Sequence, residues 1–150
     1  MKHLARLPVG WTIAGAVLVA LAVNLGIYAL GASAGGSFIF TASSGPSHVD
    51  PLTLIGFTAL PLAVALTVLA VVGRRWRGAF LVALVVAPLL ELGSIFGMTL
   101  PADFDVTSTF ALATCHVALV PVSIITVLVL KTRVRGRSVR VSGHPEPRTA

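Results

Sequence analysis

The chain has 150 residues, of which 56% are hydrophobic and 11% charged, with a formal net charge of +6. Soluble domains carry roughly a quarter charged residues, so water is excluded as the main solvent, and four apolar stretches of spanning length leave no room for a separate soluble domain. The basic residues stand at span ends instead of forming a patch, which excludes a nucleic-acid module, and the lone Cys115 excludes an intrachain disulfide.

Lys2 and Arg6 precede the first apolar stretch, at about residues 9–32. Ala32, Ser33 and Ala34 resemble a signal-cleavage site, but the apolar run is longer than the ~7 to 15 residues of a signal core and is expected to remain as a span. Ala16, Ala20, Asn24 and Tyr28 recur every four residues, placing small side chains and one amide on a single helical face. Residues 33–50 form a Gly- and Ser-rich loop whose apolar patch, Phe38, Ile39 and Phe40, suits the bilayer interface or a short ribbon.

Pro51 opens the second span, about residues 51–73, in the first-turn position where its missing N–H costs nothing; Pro61, inside the span, should bend it. Arg74, Arg75, Trp76 and Arg77 make a loop short enough to predict that the second and third spans are packed antiparallel neighbours. The third span, about residues 78–100, carries Pro88 and Glu91. A short acidic turn with Asp103 and Asp105 follows, and Thr107 or Ser108 is expected to cap the fourth span, about residues 107–130, which contains Pro121.

Residues 131–150 hold Lys131, Arg133, Arg135, Arg137 and Arg140 with almost no apolar content, and are expected to form an unstructured tail lying against anionic lipid. Basic residues at one set of ends and Asp50, Asp103 and Asp105 at the other follow the positive-inside bias, placing both termini in the cytoplasm. The expected fold is therefore all-α: residues 1–130 form a four-helix antiparallel transmembrane bundle in a bacterial cytoplasmic membrane. Abundant Arg, Ala and Val suggest a GC-rich genome.

Strongly polar groups inside a bilayer are costly, so each one present needs a reason. At a rise of ~1.5 Å per residue, Asn24, Thr58, Glu91 and His116 come to depths of ~20 to 24 Å from the cytoplasmic boundary, one from each span. Such a layer is satisfied only if its members face inward. Thr109, His116 and Ser123 line one stripe of the fourth helix, and Ser94 follows Glu91 by one turn on the third. Glu91 and His116 are candidates to share a proton, either as a relay or as a pair that fixes helix register; Asn24 and Thr58 read as interhelical contacts.

No cluster has metal-ligand spacing, one intramembrane His leaves no bis-histidine haem site, and the residues around Ser94 form no nucleophile elbow. Neither a catalytic residue, a metal nor a cofactor is expected. Asn24, Tyr28, the Gly- and Ser-rich loop, the run from Val49 to Gly56, the arginine turn and the run from Phe110 to Val117 resemble an actinobacterial family of four-helix membrane proteins classed as a domain of unknown function. The resemblance implies the fold, with Asn24 and His116 at family positions, whereas Glu91 falls where a small hydroxyl or apolar residue is expected. The leading functional expectation is a structural or accessory membrane component whose partners are lipid and either a second copy or another membrane protein. The alternative is a small oligomeric proton-coupled transporter using Glu91 and His116.

Overall fold

A computed structural model describes residues 8–141, with side chains through Val134. Four helices are long and apolar enough to cross a membrane. They are α1 (Val9–Ser33), α2 (Pro51–Arg75), α3 (Ala79–Ser94) taken together with its continuation to Thr99, and α4 (Val106–Val141), with a two-stranded ribbon, β1 (Ile39–Ala42) and β2 (Gly45–His48), between the first two. α3 continues as a wider π-helical segment over Ile95–Thr99. Pro61, Pro88 and Pro121 all lie within helices that run through them.

Local chemistry sets the helix starts. Asp50 caps α2 by accepting from the Thr53 backbone N–H at 2.6 Å, and Pro51 follows in the first turn, where it gives up no helical bond. At α4 the capping residue is Asp105, not Thr107 or Ser108: its carboxylate accepts from Ser108 N at 2.9 Å and from Ser108 Oγ at 2.6 Å. A carboxylate at this position can accept from both the backbone N–H and the hydroxyl of the residue three along, which neither hydroxyl achieves alone.

α4 is the centre of the bundle. It packs most extensively on α1 and next on α3, while α2 lies chiefly against α1. α2 touches α3 least of its neighbours, so the expected side-by-side pairing across the arginine turn is reduced. Their closest approach is near the turn, where a Cβ on Gly73 would stand 2.5 Å from the Phe80 ring. Away from it, α4 supplies the surface on which α3 rests.

Two apolar clusters fill the interior. One gathers Ala16, Leu66, Leu69, Phe80, Val127 and Leu130 toward the arginine end; the other gathers Phe38, Leu54, Ala111 and Leu112 toward the ribbon end. Gly31 permits the tightest α1–α4 approach, since a Cβ there would lie 2.7 Å from the Ala111 Cβ. On α1, Ala16, Ala20 and Asn24 are buried at the four-residue spacing read from the sequence.

The expected tail is shorter than the sequence suggested. α4 carries on through Lys131 to Val141, because no proline interrupts a helix already nucleated in the bundle until Pro145. The Arg133 guanidinium donates to Thr12 Oγ1, tying α4 to the start of α1. The side chains of Arg135, Arg137 and Arg140, and residues 142–150, lie outside the described residues.

Candidate functional site

The ribbon end is a dense polar latch. The Asp105 carboxylate accepts from Ser37 N at 2.9 Å and Ser37 Oγ at 2.8 Å, besides its two bonds to Ser108. Asp103 accepts from Thr41 N and Thr41 Oγ1, both at 2.6 Å. Ser108 Oγ also accepts from the Phe38 N–H at 2.8 Å. The loop before α4 thereby holds the strand β1 and its approach.

Phe38 is the hinge of this arrangement. Its φ of 54° is left-handed, uncommon for a residue with a side chain, and its ring is 1% exposed, stacked 4.2 Å from Tyr28. Burial of the ring and the bond to Ser108 offset the backbone cost. The Ser108 and Ser37 hydrogen bonds hold the Asp105 carboxyl far below the usual carboxylate range; bonds from Thr41 lower Asp103, and bonds from Thr53 lower Asp50. In the sequence these aspartates mark only the side of the membrane opposite the basic residues. The Asp105 to Ser108 spacing was the available signal for a capping role, but nothing local announced partners 62 and 68 residues away.

Between the two apolar clusters, the four sequence-identified residues sort into two groups. Asn24 Nδ2 donates to Thr58 Oγ1 at 3.0 Å, joining α1 to α2. The amide is 2% exposed, and its Oδ1 has no partner among the described residues. The Cys115 thiol points to the Asn24 backbone carbonyl at 3.7 Å, bringing α4 against the same point.

Glu91 and His116 do not bond to one another; a serine of the opposite helix takes each. Ser123 Oγ donates to Glu91 Oε2 at 3.0 Å, and Ser94 Oγ lies 2.7 Å from His116 Nδ1. Equal depth is therefore not sufficient for contact. In the antiparallel α3–α4 register Glu91 falls opposite Ser123 and Ser94 opposite His116, giving two crossed rungs. Both titratable residues are half-buried.

A Ser–His contact invites comparison with an activated nucleophile, which requires a base oriented by a third group. Ser94 Oγ also lies 2.6 Å from the Glu91 carbonyl in its own helix, and no described residue bonds to His116 Nε2. The contact is a rung of the ladder. A groove of about 250 Å³ runs between residues 12–19 of α1 and 122–129 of α4; apart from Thr12 and Thr126 its lining is apolar, and neither Glu91 nor His116 borders it. Among the described residues, no three His, Cys, Asp or Glu side chains gather to hold a metal.

A family model described as a family of unknown function (DUF6069) matches residues 5–135. The chain belongs to this family. The match takes in all four apolar helices, the ribbon and both rungs of the α3–α4 ladder, so latch and ladder alike lie within the family region. Neither the curated proteins nor the solved structures contain a match.

Proposed function

We propose that this chain is an integral protein of a bacterial cytoplasmic membrane, with both termini cytoplasmic, and that it serves as a structural or accessory component. Its basic end contacts anionic lipid or a partner, and Lys131 and Arg133 begin that surface. The observation that carries the reading is the α3–α4 ladder. Each ionisable group within the spans is committed to a hydroxyl on the neighbouring helix, and the α1–α4 groove is largely apolar and away from both. A polar layer that joins helices pairwise orders a bundle without providing a path.

The test is proton movement. Purified full-length protein in liposomes with an imposed pH gradient and an entrapped pH dye is expected to match empty vesicles. A flux that Glu91→Gln or His116→Ala abolishes would overturn the structural reading and leave the second one, the small oligomeric proton-coupled transporter. That second reading draws on one observation: Glu91 Oε1 and His116 Nε2 have no hydrogen-bond partner among the described residues. Orientation is tested separately by reporter fusions after Val134 and within the Ser43–Ser44 turn, of which only the first should report cytoplasm.

A further inference from the structure

The α3–α4 ladder is satisfied on one side only. Oε2 of Glu91 and Nδ1 of His116 have partners, whereas Oε1 and Nε2 do not. Neither of these two atoms is enclosed: the single buried, unpartnered side-chain polar atom among the described residues is Asn24 Oδ1. Oε1 and Nε2 therefore keep some accessible surface on half-buried side chains. Counted from Gly78 and Lys131 they lie at ~20 and ~22 Å along the helices, a depth at which hydrocarbon supplies no hydrogen bond.

The hydroxyl protons determine what these atoms offer. Ser94 has one proton and two neighbours, the Glu91 carbonyl at 2.6 Å and His116 Nδ1 at 2.7 Å. With that proton on the carbonyl, Ser94 Oγ accepts from Nδ1–H, and the neutral ring presents the bare lone pair of Nε2. Ser123 Oγ likewise has one proton and two acceptors at 3.0 Å, the Val120 carbonyl and Glu91 Oε2; with that proton on Oε2, a carboxyl kept neutral in the membrane carries its own on Oε1. One chain thus presents a donor, Glu91 Oε1–H, and an acceptor, His116 Nε2, in the same layer.

We propose that this edge is the interface for a second copy of the chain. Two copies inserted in the same sense share one depth scale. A two-fold axis along the membrane normal can then set Glu91 of each against His116 of the other, with both bonds made between neutral groups. Self-complementarity of this kind is what an isologous dimer requires. α3 suits the role because it rests chiefly on α4, leaving much of its length without a neighbour inside the chain. The inference rests on the four-span reading and adds a partner to it.

The experiment is energy transfer between donor- and acceptor-labelled full-length protein in liposomes, titrated with lipid, with insertion checked by flotation and alkaline extraction. Wild type should associate, and Glu91→Ala and His116→Ala should each weaken association by roughly three- to tenfold per bond lost. Each variant alone loses both bonds. A mixture of the two variants regains one, from the intact Glu91 of one copy to the intact His116 of the other, and should associate more tightly than either variant alone. Glu91→Gln, whose amide still donates, should retain association, and circular dichroism of every variant should remain helical. Monomeric wild type at all dilutions, or a mixture no tighter than its components, would overturn the proposal. Failed insertion would instead overturn the four-span reading, and proton flux is read in the separate assay.

Discussion

The ribbon end and the polar layer within the spans are both built from polar side chains, yet they satisfy those side chains to different degrees. At the ribbon end Asp105 accepts four hydrogen bonds and Asp103 two, and backbone amides are among the donors. In the layer each side chain has one crosswise partner and leaves an atom unmet: Asn24 Oδ1, Glu91 Oε1 and His116 Nε2. A saturated network locks a conformation, whereas a half-satisfied one retains capacity for a further partner. The difference fits a latch that serves folding and, on the dimer proposal, a ladder that serves recognition.

Substitutions test that division, beginning with the largest effect. Phe38→Ala removes the ring that joins the latch to the ribbon-end cluster and should destabilise the protein by about 3 to 5 kcal/mol in detergent unfolding, if buried aromatics here behave as in soluble cores. Gly31→Leu forces a side chain into the Ala111 contact and should cost about 1 to 3 kcal/mol by the same measurement. Thr58→Val leaves the Asn24 amide unpartnered and should cost about 1 kcal/mol, of which Asn24→Leu in the same chain should restore a large part.

The subtlest effect is the pH dependence of the latch. Asp105 titrates below its unfolded value, so its contribution is fully present above about pH 4 and is lost as pH falls through the lower, folded value. The thermal midpoint of wild type should be flat near neutrality and fall below about pH 4. Asp105→Asn should lower the midpoint at neutral pH and blunt its acid dependence, and an unaltered acid limb would break the assignment of the latch to this carboxylate.

Hydropathy made the four spans legible, while the Gly- and Ser-rich loop with its Phe-Ile-Phe patch suited either the bilayer interface or a short ribbon, and the structure forms the ribbon. Helical rise placed Asn24, Thr58, Glu91 and His116 in one layer. It could not pair them, because depth leaves rotation about each helix axis and side-chain reach undetermined. Ser94 and Ser123 were visible as stripe neighbours, but their role as the immediate partners of His116 and Glu91 depends on the α3–α4 register. The short arginine turn predicted a contact between the second and third helices that the structure keeps, in reduced form: a tight connection fixes where two helices begin, not how far they stay together.

The latch also has an order of assembly written into it. Ser37 and Thr41 precede their carboxylate partners by 68 and 62 residues. During synthesis the first two helices exist before Asp103 and Asp105 do, and the ribbon stays unfastened until the second pair has delivered the loop between them to the same face of the membrane. An inverted or incomplete second pair would leave Ser37, Thr41 and the Phe38 amide without partners, so the ribbon fastens only when the four segments alternate in direction as they do in the folded bundle.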